Sequence, residues 1–316
     1  MVAPFAYTAL LSWTPHSQGR QDIRLWRLLH NALGLTHGTF VEFGFPSRNG
    51  SNTEGLLKRG GWTGLRLDGR NNDASANCHA EWIQSTNIVS LFEKYRVQHD
   101  VDYVSIDIDS ADIWVFEALV QSYRPKALTV EYNANYPWGS SIAFADPARR
   151  DHVVPGVRFG WDGGCFMGSS ATAIDLAARR NGYVTVDVEP GLDLFLVRAD
   201  LWGSRPVPSL KNIIYRPFNI GAQYAGMATE LQNTLLDYGA FQLNGSVAYA
   251  RHQAQLVLRR LRDAGLPCLN SPEQRGKVCK SKARRCKHLF SSVCPETCAA
   301  YPPSDGTPLW MPNGEL

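Results

Sequence analysis

Four short runs of β-forming residues, each closing on or beside a carboxylate, constrain this chain more than any other feature. They are 39–43 (TFVEF), 64–68 (GLRLD), 101–107 (VDYVSID) and 127–131 (ALTVE). Helical spacing separates them: a start at 51–54 (SNTE) with the spacing of a capping box, then 87–95 and 113–120. Strands that alternate with helices predict right-handed crossovers and a largely parallel sheet covered on both faces. Beyond them, helical spacing returns at 170–180, and the runs 183–188 and 192–197 flank Glu189-Pro-Gly191 as a hairpin. The expected fold is α/β: a Rossmann-like, doubly wound, mostly parallel sheet closed by an antiparallel hairpin.

A chain of 316 residues, 44% hydrophobic and 19% charged, has room for one sizeable core and a small unit beside it. We divide it into an N-terminal extension (1–35), the Rossmann-like domain (36–208), a helical and irregular extension (209–266) with its clearest helix at 250–264, a cysteine-bearing module (267–302) and a tail (303–316). No stretch reaches the roughly 18 to 20 apolar residues of a membrane helix, so no membrane span is expected. Residues 2–13 are mildly apolar but lack a basic start and are broken by Pro4, which makes a poor signal peptide. A formal charge of +3 gives little reason to expect nucleic acid. Lys277, Lys280, Lys282, Arg284, Arg285 and Lys287 nevertheless crowd one short stretch. That run reads first as a solvated face and second as a surface for an acidic partner.

In an open parallel sheet, ligands bind beyond the C-terminal strand ends, so residues at strand stops carry the chemistry. Here these are Glu42, Asp68, Asp107 with Asp109, and Glu131. Taken singly, each acid also reads as a turn or helix cap. The first turn, Gly44 to Gly50, is glycine-bearing but lacks the G-x-G-x-x-G spacing of a pyrophosphate loop. An acid at the first strand end suits a ligand carrying an ammonium group, and Asp68 is placed to accept from both ribose hydroxyls. His79 and His152 are alternative bases that read more simply as ordinary loop histidines. The aromatic-rich segment 132–168, with Tyr136, Trp138, Phe144, Phe159, Trp161 and Phe166, reads as a lid or as loop packing.

The succession Val41-Glu-Phe-Gly44, Ser51-Asn-Thr53, the run 61–69 (GWTGLRLDG), the run 104–109 (VSIDID) and Val130-Glu-Tyr-Asn133 resembles class I methyltransferases of the FkbM-like kind, over about residues 36 to 200. The resemblance implies a seven-stranded sheet, S-adenosylmethionine over the first two strand ends, and methyl transfer, usually to oxygen. Carried over by position, Glu42 and Gly44 line the methionine part, Asn52 joins the cofactor-binding set, Asp68 holds the ribose, and Asp107 and Asp109 flank the methyl donor. Ser110 departs from the pattern, since a glycine often follows the aspartates, and the first loop is wide.

Methyl transfer to a hydroxyl needs alignment of the nucleophile and a base or metal for its proton. Asp107 or Asp109 is the expected catalytic base, and Asp109, Glu131 and Asn133 are oxygen ligands suited to magnesium. The expected substrate is a small-molecule or glycan hydroxyl. A nicotinamide oxidoreductase on a similar sheet, and a catalytically silent relative that binds a partner, are the alternatives.

Cys268, Cys279, Cys286, Cys294 and Cys298, the last two within Cys-Pro-Glu-Thr-Cys, are similar in spacing to the ShK toxin-like domain over about 34 residues. The sixth cysteine position of such a domain falls on Tyr301. The resemblance implies disulfides Cys279–Cys294 and Cys286–Cys298, with Cys268 unpaired. Zinc is the weaker reading, since no C-x-x-C pair is present. A disulfide-supported module favours a secretory or extracellular setting. Sequons at Asn49 and Asn244 agree with that setting, although a glycan on Asn49 would crowd the cofactor loop.

Overall fold

A computed structural model describes residues 15–45, 47–134, 136, 139–152, 168–210 and 234–263. Cys165, the whole cysteine module with both expected disulfides, and Trp138, Phe159, Trp161 and Phe166 of the aromatic segment lie outside them. No helix among the described residues is long and apolar enough to cross a membrane.

The six expected strands are present and lie, together with a short strand in the loop after the second, in one seven-stranded sheet. In chain order they are β1 (Gly38–Phe43), β2 (Trp62–Asp68), β3 (Cys78–Ala80), β4 (Tyr103–Ile106), β5 (Ala127–Glu131), β7 (Tyr183–Val188) and β8 (Asp193–Arg198), and β6 (Ile142–Phe144) lies apart. Their spatial order is β3-β2-β1-β4-β5-β8-β7, and β1 to β5 are parallel to one another. The hairpin then reverses: β8 runs antiparallel to both β5 and β7. Every residue of β4 is buried, as a strand with helices on both faces requires.

Helices cover both faces. Helix α1 (Gln21–Trp26), the π-turn that continues it (Arg27–Ala32), α2 (Glu54–Arg59) and α6 (Ala199–Trp202) contribute Leu25, Leu28, Leu29, Leu56 and Trp202 to one core. On the other face, α3 (Ile88–Lys94), α4 (Asp112–Val120) and α5 (Ala171–Arg180) pack a larger core with Phe43, Leu67, Ile106 and Val130. That core also takes in Leu236, Tyr238 and Ala250. These belong to β9 (Leu235–Asp237), α7 (Tyr238–Asn244) and α8 (Val247–Asp263). Strand β6 pairs antiparallel with β9, so part of the segment expected to be irregular, and part of the extension beyond residue 208, join the main body. The capping box at α2 forms only in half. Ser51 Oγ accepts from Glu54 N (3.1 Å), but the Glu54 carboxylate turns to Arg66 (3.1 Å).

Candidate functional site

The sheet reverses its direction of winding between β1 and β4, and the crevice of an open α/β sheet opens at such a point. The two strand exits there touch. Gly44 has φ +68°, and a Cβ on it would fall 1.7 Å from the carbonyl oxygen of Asp107. Only glycine fits, both for the left-handed backbone and for the contact.

Glu42 is engaged by the protein's own donors. It is buried, and its carboxylate accepts from Ser51 Oγ (2.8 Å), Asn52 N (2.7 Å), Thr53 Oγ1 (2.5 Å) and Arg66 Nε (3.1 Å). Four donors of this chain therefore occupy the acid expected beside the methionine part of a cofactor, and its work is to pin the wide first loop. Arg66, fully buried, also pairs with Glu54 and lies over the Phe45 ring at 4.3 Å. Asn52 is buried as well. Its Nδ2 donates to Ser105 Oγ (3.0 Å) and Asp193 Oδ2 (3.3 Å), linking the first loop to β4 and β8.

Asp68 ends β2 half-buried. Its Oδ1 accepts from the N–H groups of Arg70 and Asn71, both at 2.7 Å, so one oxygen holds the turn. Asp107, Asp109 and Glu131 come together at the ends of β4 and β5: each offers an oxygen within 4.8 Å of the others. Asn133, the other oxygen ligand expected there, follows two residues after Glu131, and its backbone N–H donates to Ser169 O (2.8 Å). Asp109 is exposed and holds φ +66°, a left-handed conformation that is costly for a residue with a side chain and that clusters at functional sites.

Two further carboxylates, absent from the sequence-based set, complete the group. Asp193 lies opposite Glu131 in the β5–β8 register, and Asp112 opens α4 with Oδ1 accepting from Ile108 N (2.7 Å). Both are buried, and Asp112 Oδ2 and Asp193 Oδ1 have no hydrogen-bond partner. The signal for Asp193 was its place directly after the hairpin turn. In an antiparallel neighbour it is the start of a strand, not its stop, that lies at the C-terminal edge of the parallel strands. For Asp112 the signal was an acid at a helix start just past a strand.

Burial, reinforced by the neighbouring carboxylates, raises this group. Asp112 and Asp193 are each pushed up to about 7, and Asp107 and Glu131 stand well above the usual carboxylate range. Asp109 is raised by burial and then by Asp68, which places the β2 tip within electrostatic reach of the β4 tip. Five acids this close cannot all ionise without a cation among them.

No family model matches this chain, and no curated protein matches it.

Neither histidine belongs to the acid group. His79 lies on β3, its ring 4.8 Å from that of Tyr95 and its Nε2 3.2 Å from Asn77 Oδ1. His152 is buried between the rings of Trp114 and Phe241, and burial first, then Arg149, lowers it to about 4, so it is neutral at pH 7. Of the aromatic segment, Tyr136 and Phe144 are buried in the body, and Phe144 lies in β6. Asn49 and Asn244 are both exposed.

Proposed function

We propose that this protein is an S-adenosylmethionine-dependent methyltransferase acting on a hydroxyl of a small molecule or glycan. The observation that carries the reading is the convergence of Asp107, Asp109 and Glu131, backed by Asp112 and Asp193, at the switch point of a seven-stranded sheet. Such a rim calls for a small cationic ligand, and a sulfonium nucleoside with an α-ammonium group is one. Glycine at position 44 lets the exits of β1 and β4 pack backbone against backbone, which fixes the spacing of the two strand ends. The reversed β8 weighs against the nicotinamide alternative, since the dinucleotide sheet has the order 3-2-1-4-5-6 without a strand wedged antiparallel beside the fifth.

Asp68, one oxygen engaged in its turn, offers the other to ribose hydroxyls. Asp107 and Glu131 supply negative charge next to the positive end of the ligand. Asp109, the exposed member, takes the proton of the substrate hydroxyl, and its raised pKa makes it a better base than an ordinary aspartate. S-adenosylmethionine, when bound, supplies the electrophilic methyl group. The trio is also an oxygen-only donor set of the kind that magnesium favours.

Titration calorimetry of the full chain with S-adenosylhomocysteine, with and without magnesium, tests the reading. Binding is expected, and Asp68→Ala should weaken it by about tenfold, the worth of roughly 1.4 kcal/mol of lost hydrogen bonding, with an unchanged melting temperature. Absence of binding in the wild type, or an Asp68→Ala affinity equal to it, would sink the assignment.

A further inference from the structure

A cavity of about 370 Å³ lies apart from the acid group, against the first halves of β1 and β2. Its floor is aliphatic: Val41 and Leu65, partners in the β1–β2 register, with Val97 and Val101 from the chain between α3 and β4. His79 and Tyr95 add two rings to the lining, 4.8 Å apart. The imidazole is held in place, because Asn77 Nδ2 donates to Gly64 O (2.7 Å) and so turns its Oδ1 to His79 Nε2 (3.2 Å). No carboxylate lines the cavity, and Arg96 is its one guanidinium.

The backbone at Arg96 sets it apart. Arg96 N donates to Glu93 O (3.0 Å) and Val97 N to Phe92 O (2.9 Å), the paired bonds of a helix end whose left-handed residue is most often glycine. Here an exposed arginine holds φ +54°. Asn77, at φ +48°, lines the same cavity, so two of the three non-glycine residues with left-handed backbone among the described residues meet there. Such conformations cluster at functional sites. The acids bonded to the lining, Glu81 through Tyr95 Oη (2.6 Å) and Asp102 through Thr39 N (2.8 Å), are each paired with a lysine, Lys94 and Lys126. Among the described residues no carboxylate pairs with Arg96, which leaves its charge for a ligand.

We infer that this cavity binds a small aromatic carboxylate, its ring on the aliphatic floor beside His79 and Tyr95 and its carboxylate on Arg96. The volume falls within the range of about 300–1,000 Å³ of small-molecule sites, in which an apolar lining takes the body of the ligand and a few polar groups orient it. A guanidinium offers a carboxylate two parallel N–H donors, a fit that an ammonium lacks. No lining residue belongs to the acid group, so the site is independent of the methyltransferase reading.

Ligand-detected NMR on the full chain at pH 7 tests the site, with cinnamate and its neutral counterpart cinnamamide titrated into wild type, Arg96→Gly and Arg96→Lys. Wild type should bind cinnamate about tenfold or more tightly than cinnamamide, and an excess of S-adenosylhomocysteine should not displace it. Arg96→Gly should weaken cinnamate by about tenfold, leave cinnamamide unchanged, and melt at or above the wild-type temperature, because glycine relieves the left-handed backbone. Arg96→Lys should fall between the two. Absence of saturable cinnamate binding by wild type at millimolar concentration, equal affinity for acid and amide, or an Arg96→Gly affinity equal to wild type would each overturn the site. Displacement by S-adenosylhomocysteine would move the probe to the crevice, and lost binding with a lowered melting temperature in Arg96→Gly would assign the arginine to the fold; either overturns it too.

Discussion

Glu42 and Arg66 show how much of a residue's role depends on what lies around it. An acid at the end of a first strand is equally suited to a ligand's ammonium group and to an internal cation, and the sequence pattern carries no mark of which it meets. Here Arg66, on the neighbouring strand in register with Glu42, reaches it first, together with the hydroxyls of Ser51 and Thr53. Removal of that guanidinium would strand Glu42 and Glu54 without their buried partner. Arg66→Met should therefore destabilise the fold by about 3–5 kcal/mol, read as a lower urea midpoint with an unchanged slope. A midpoint within error of wild type would contradict the view that this cluster pins the first loop.

Among the elements, those legible beforehand were the ones whose periodicity is strong: the central strands, the hairpin and α5. Helix α5 begins where its sequence says it should. Ser170 caps it, accepting from Ala173 N (3.1 Å), and also donates to Ser140 O (2.7 Å), so the cap joins the helix to the chain before β6. Ser170→Ala should cost about 1–2 kcal/mol in chemical denaturation, more than an exposed cap, because the Ser140 carbonyl loses its donor as well. The elements not foreseen are short or depend on distant partners. Helix α1 and the π-turn that continues it place Leu25, Leu28 and Leu29 on one core, yet what holds the helix is Arg24, which binds Asp187 (2.9 Å) and Glu189 (2.6 Å) on the hairpin. Strands β6 and β9 are three residues each and have meaning only as a pair.

At the scale of the whole molecule, the sheet gathers acids that lie far apart in the chain, and their titration becomes a property of the fold. Asp112 and Asp193 titrate near 7 when folded, against 3.8 for the ordinary carboxyl, so the native state holds protons that the unfolded chain releases. Their contribution to stability is complete below about pH 4 and is lost as pH rises towards 7. His152, lowered from 6.5 to about 4, acts with the opposite sign between those values, so the quantity to read is a difference. Urea midpoints of ligand-free wild type and Asp193→Asn should converge at pH 4 to 5, with the variant gaining on wild type by pH 8; parallel curves would refute the raised carboxylate.

What the sequence alone determined is the class of fold and the strand-end acids of β1, β2, β4 and β5, because alternation of apolar runs with helical spacing is local and each acid sits beside the run that positions it. Only the tertiary structure decided which of those acids face one another. Asp107 joins Asp109 and Glu131; Glu42 bonds to Arg66; and Asp193 arrives from a strand running the other way. The physical reason is that a carboxylate's work is set by the charges and donors within a few ångströms of it, and those come from strand order and direction, which no local pattern encodes.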